Sequence, residues 1–275
     1  MNITRDIAIK VRNTVDIGLV SGLGKQVPGE MCVEAAVCYA LGLPHGDDPG
    51  CVAPALRNLK IRLNDSRWSS NKARANGLRR LAVIQLGSVG LDEQEFVRRV
   101  VEYTIRTTIP RAIRVAASII KIPEHKAAMI AAAVQCERNG DKVSTLKAKK
   151  TTSAAYAAGY AAAAAAANAA AYAAAYAAAD DADAANAAAY AAAAASDAAY
   201  GAANAAAAAA AANAAAAAAN AAANAAAAAA NAAANAAADD KRDTELSLFA
   251  EAVVQILIEM QVPGCQWLDL VEVEK

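Results

Sequence analysis

Apolar residues recur along the first 150 positions at the spacing of helices. Ile7, Val11, Val15 and Leu19 stand four residues apart over 4–19 and predict a first helix, which the turn residues of "SGLGKQVPG" end. A second helix is predicted over 30–42, entered through Pro28-Gly29 and closed by Gly42 and Pro44. Asp48 reads as the N-cap of a third, with Pro49 at its first position and Leu56, Leu59 and Leu63 as its stripe. A fourth covers about 71–86, capped by Ser69 or Ser70. Asp92 caps the next, whose Phe96, Val100, Tyr103 and Thr104 share a face. Pro110 must kink that helix or begin a new one, because it lacks the amide proton and crowds the preceding turn. "PEHKAAMIAAAVQCERNG" starts with proline and ends at Asn139-Gly140, the punctuation of one more helix. Near the C-terminus, Leu246, Phe249, Val253, Ile256, Leu257 and Met260 line one side of a helix that stops before Pro263-Gly264. "CQWLDLVEVE" follows as an irregular or short extended end. No segment alternates apolar and polar residues over strand length between turns, so the expected class is all-α.

Between these flanks the pattern collapses to alanine. From Ser153 to Ala238 only weak breakers, Gly159 and Gly201, interrupt residues of the best helix propensity. One rod of 86 residues would span about 130 Å. The other residues fall in register: Asn168, Asn186 and Asn204 are 18 apart, as are Tyr172 and Tyr190, and 18 residues make five helical turns. From Asn213 the spacing becomes 7, 4, 7, 4 through Asn220, Asn224, Asn231 and Asn235, an 11-residue repeat that favours straight or slightly right-handed packing. The nine residues from Asn204 to Asn213 throw the second row to the opposite side of a continuous helix, which favours a bend near Gly201. One face is thus polar and aromatic, the other methyl groups alone. Methyl faces let helix backbones approach closely and gain many weak contacts along a seam. In composition and 11-residue spacing the tract resembles the alanine-rich helical antifreeze proteins, with Asn standing where those carry Thr. That resemblance implies a water-ordering surface along the Asn and Tyr row.

Charge divides the chain into three parts. Residues 1–150 carry 24 Lys/Arg and 14 Asp/Glu, residues 151–240 six Asp and no base, and residues 241–275 three bases and seven acids. The expected organisation follows: a basic helical domain over 1–150, an alanine-rich helical segment over 151–240, and a C-terminal helix and tail over 241–275 that packs back on the first domain or on a partner subunit. The two charges can neutralise each other within the fold or between subunits, or the basic part can bind a polyanion. Five cysteines and an N-terminus without an unbroken apolar run point to a cytoplasmic, reducing setting without a membrane span.

The basic signal is densest over 57–80, where Arg57, Lys60, Arg62, Arg67, Lys72, Arg74, Arg79 and Arg80 surround Trp68 with one acid. Such a cluster can grip phosphates, and an Arg-flanked tryptophan can stack on a base; equally, Trp68 can plug the core. Cys32, Cys38, His45 and Cys51 form a weak metal candidate whose spacing matches no compact zinc knuckle. His45, Asp47 and Asp48 share one loop and could serve acid–base chemistry, although capping by Asp48 accounts for them. No nucleophile or phosphate-loop signature occurs and no cofactor is implied, so an enzyme is not expected. "EAAVCYALGLPHGDDPGCVAPALRNLKIRLND" and "AEAVVQILIEMQVPGCQWLDL" resemble a group of uncharacterised bacterial and phage-associated proteins whose flanks bracket an alanine-rich middle. That resemblance implies no established activity, and it makes the tract a regular part of the architecture. The expected role is a non-enzymatic structural or protein-interaction protein that associates with itself through alanine faces, or with another protein; the alternative is a nucleic-acid or polyanion binder through residues 57–80.

Overall fold

Thr4 accepts from the Ile7 amide and opens α1 (Arg5–Ile17), whose Ala8, Val11 and Val15 are buried. The computed structural model describes residues 2–118, 120–157 and 220–272. The turn after α1 folds on itself through a bridge between Gly24 and Met31 and leads to α2 (Val33–Leu41). There the N-cap is Cys32, whose thiol accepts from the Ala35 amide at 3.3 Å. The third helix does not start at Asp48. Gly50 turns the chain at φ +64°, Asp48 is spent on the Gly50 amide and on Arg57, and α3 (Pro54–Asp65) begins at Pro54 instead. Ser70 caps α4 (Asn71–Ile84), and Asp92 caps α5 (Glu93–Tyr103).

Past α5 the helix widens into one π-turn, Thr104–Thr108, where the Ile109 amide reaches back to the Thr104 carbonyl. It resumes as α6 (Ile109–Ser118) with Pro110 inside its first turn. The widened turn falls where proline would otherwise leave a carbonyl crowded and unbonded. Next come α7 (Pro123–Asn139) and α8 (Lys142–Ala157). The last helix, α9 (Asn220–Glu259), is a single element of 40 residues that joins alanine-rich sequence to the C-terminal stripe without a break at 240. After it, Pro263–Leu270 forms a 3₁₀ helix in place of an irregular or extended end. The fold is all-α.

Two main apolar clusters hold the described helices, beside a minor one of Met31, Cys32 and Ala35. The larger joins α1–α5 to α9: Leu56, Leu59, Leu78, Leu81, Phe96 and Val100 pack with Leu246, Phe249, Val253 and Leu257. Here α4 is the common neighbour, in contact with α1, α9 and the 3₁₀ helix. Gly264 permits that last approach, since a Cβ there would lie 2.0 Å from the Ile84 carbonyl oxygen. The smaller cluster joins α6, α7 and α8 through Ile109, Ile113, Met129, Ala132, Cys136 and Ala148.

Candidate functional site

The bases over 57–80 converge on partners inside the chain. Arg57 pairs with Asp48, and Arg80 with Glu251 on α9. Arg79 takes both oxygens of Asp16, at 2.5 and 3.0 Å, and the Val271 carbonyl at 3.1 Å. Lys72 donates to the Asp16 carbonyl at 2.6 Å. Arg74 is buried and donates to the carbonyls of Asn64 (2.7 Å) and Leu19 (2.9 Å) and to the Asn71 side chain (3.0 Å). Arg62 and Arg67 are engaged as well. Trp68 is 6% exposed, donates from Nε1 to the Leu63 carbonyl at 2.9 Å, and lies against Gly77, where a Cβ would meet its ring at 2.3 Å. The ring is therefore a core plug and offers no face to a base.

The acids of the C-terminal part complete the same network. Arg99 reaches Glu259 and Arg111 reaches Glu245, both at 2.9 Å, while Arg5 pairs with Asp269 and Ser69 donates to Asp243. Arg5 in turn holds the Asp269 carboxyl below its ordinary range, whereas burial raises that of Glu245. A groove of about 630 Å³ runs between α4 and α9, past Asn76, Gly77, Asp243, Ser247 and the Arg80–Glu251 pair. Its Arg80, Glu251 and Asp243 are already bonded within the wall.

The pair Lys60 and Glu34 lies deeper and has no signature in the linear sequence. Both side chains are fully buried, with Nζ 2.7 Å from Oε1 and no other hydrogen-bond partner for either. Burial raises the Glu34 carboxyl and lowers the Lys60 amine, each opposed by the other's charge. Cys32 and Cys51 lie near Lys60, and burial raises both thiols. The Cys38 thiol is pushed up to about 11, again mainly by burial. Protonated thiols are poor nucleophiles and poor metal ligands. Among the described residues no group of three His, Cys, Asp or Glu is placed to hold a metal. His45 sets Nε2 3.1 Å from the Gly24 carbonyl, and Asp48 is committed to Arg57 and Gly50, so the loop with Asp47 gathers no acid–base pair around a cleft.

On α8 the pattern is inverted. Ser144, Thr145, Ala148 and Thr152 are buried, with Ala148 packed in the cluster of Ala132, Ala133 and Cys136 from α7. The hydroxyls of Ser144 and Thr152 bond back to carbonyls of the same chain stretch, Asp141 and Ala148, at 2.8 Å each. Facing outward, Val143 is 72% and Leu146 48% exposed, beside exposed Lys147 and Lys150. Of the polar row, Asn168, Tyr172, Asn186, Tyr190, Asn204 and Asn213 lie outside the described residues. Asn220, Asn224, Asn231 and Asn235 lie on the backbone of α9.

No protein-family model, curated protein or solved structure matches the chain. Among the described residues no helix is long and apolar enough to cross a membrane.

Proposed function

We propose that this is a non-enzymatic protein that associates with itself through the methyl faces of its alanine-rich segment, presented by a helical body. The observation that supports this reading is the α7–α8 seam. The helix that leads into the alanine-rich segment packs by Ser144, Thr145, Ala148 and Thr152 against small residues of α7, and leaves its larger apolar side chains outside. Close packing of small side chains is what the segment's composition offers, repeated over a much greater length. The binding of polyanions by residues 57–80 loses its basis where those bases are bonded internally, since phosphate contacts need free cations. Sedimentation equilibrium of the full chain, from dilute to concentrated solution, tests the proposal. A dimer or larger species that grows with concentration is the expected result; a monomer at every concentration overturns it.

A further inference from the structure

The outward face of α8 carries Val143, Leu146, Lys147 and Lys150 at the i, i+3, i+4, i+7 spacing of one stripe, with Lys149 beside it. All five are exposed, α8 contains no acid, and among the described residues no carboxylate pairs with these three lysines. Around it Arg114 is matched by Glu137 at 2.6 Å, Arg106 by Glu102 at 2.9 Å, and Asp141 is held by the Ser144 amide at 2.8 Å. Glu102 and Glu137 are thus paired elsewhere, while three cations flank two exposed aliphatic side chains.

The complement is present in the chain itself. Residues 151–240 contain six Asp and no base, and three of those acids stand together in "AADDADAAN", at Asp180, Asp181 and Asp183. Such a stretch supplies both chemistries that the α8 face lacks: methyl groups for Val143 and Leu146, and carboxylates for Lys147, Lys149 and Lys150. We infer that the α8 face is the docking surface for the acidic stretch 180–183 of a second copy of the chain. This rests on the self-association proposed above and assigns it a place. Reciprocal contacts, each copy giving one lysine face and receiving one acidic stretch, make a closed two-fold arrangement. The lysines fix register and partner choice, and the aliphatic pair supplies the desolvated contact.

Two charge-reversed chains test it. One carries Lys147→Glu, Lys149→Glu and Lys150→Glu; the other carries Asp180→Lys, Asp181→Lys and Asp183→Lys. Each alone has like charges at both contacts and is expected to associate at least about tenfold more weakly than wild type. An equimolar mixture restores opposite charges at both contacts and should recover wild-type association, measured by sedimentation with unchanged circular dichroism of each chain as the folding control. High salt should weaken wild-type association. Should wild type associate while both reversed chains associate equally well, the α8 assignment falls and self-association through other faces stands. If wild type never associates, both fall. If the six changes restore association only when placed in one chain and never in the mixture, the occupant is the chain's own segment and the second-copy assignment is overturned. Retention of nucleic acid by wild type, lost in the lysine variant without any change in association, overturns it in favour of a phosphate ligand.

Discussion

Lys60→Met destabilises the protein by about 3–5 kcal/mol, because it leaves the Glu34 carboxylate fully buried with no counter-charge or other partner. Glu34→Leu has a comparable effect for the mirror reason. The two together return to within about 1 kcal/mol of wild type or exceed it, since an apolar pair of similar volume has no desolvation penalty to offset. Urea unfolding of the single and double variants measures this, and the non-additivity is the signature of direct coupling. The pair also shapes the pH profile. Glu34 has a folded value raised by burial, so the folded state holds that proton more tightly, and this contribution to stability falls as pH rises from about 4.3 through the folded value. Lys60 has a folded value lowered by burial, so its contribution improves as pH rises from that value toward about 10.4. The double variant loses both slopes.

Trp68→Ala is expected to lose about 4 kcal/mol, through the cavity left among α3, α4 and α9 and the loss of the bond to the Leu63 carbonyl. Thermal unfolding should fall by about 10 °C. The site explains why no neighbour can compensate. The ring occupies the space that Gly77 leaves by having no side chain, with Ser247 of α9 on the same spot, 2.8 Å from where a Cβ would stand. A Trp68 that served as an exposed stacking platform would show little change in stability on the same substitution, so the melt separates the two roles.

Helix periodicity made much of this fold legible. Val11, Val15 and Leu19 of the first stripe and Leu246, Phe249 and Val253 of the last are buried, with Ile7 half-buried, and Ser70, Asp92 and Gly140 end their helices where capping chemistry places them. Two boundaries were not legible. Asp48-Pro49 has the composition of a helix start, yet Arg57, nine residues on, competes for the carboxylate, and that contact exists only in three dimensions. Pro110 left a kink or a new helix open; the π-turn at Thr104–Thr108 absorbs it within a continuing helix. The basic cluster illustrates the same limit for sites. Its eight bases look free in one dimension, whereas the carboxylates that pair with four of them, Asp16, Glu34, Asp48 and Glu251, lie outside the stretch. For α8 the difficulty is opposite. "KVSTLKAKK" shows no apolar stripe, since the residues packed on α7 are Ser144, Ala148 and Thr152 while Val143 and Leu146 face outward.

The claim on which the account rests is that the alanine-rich segment is dry between copies of the chain. Hydrogen exchange of the amides of residues 158–219, followed at increasing protein concentration, tests it where it matters. The account predicts protection that deepens as concentration rises, because association both forms and shields the packed faces. Exchange at the rate of free peptide amides, indifferent to concentration, would contradict it.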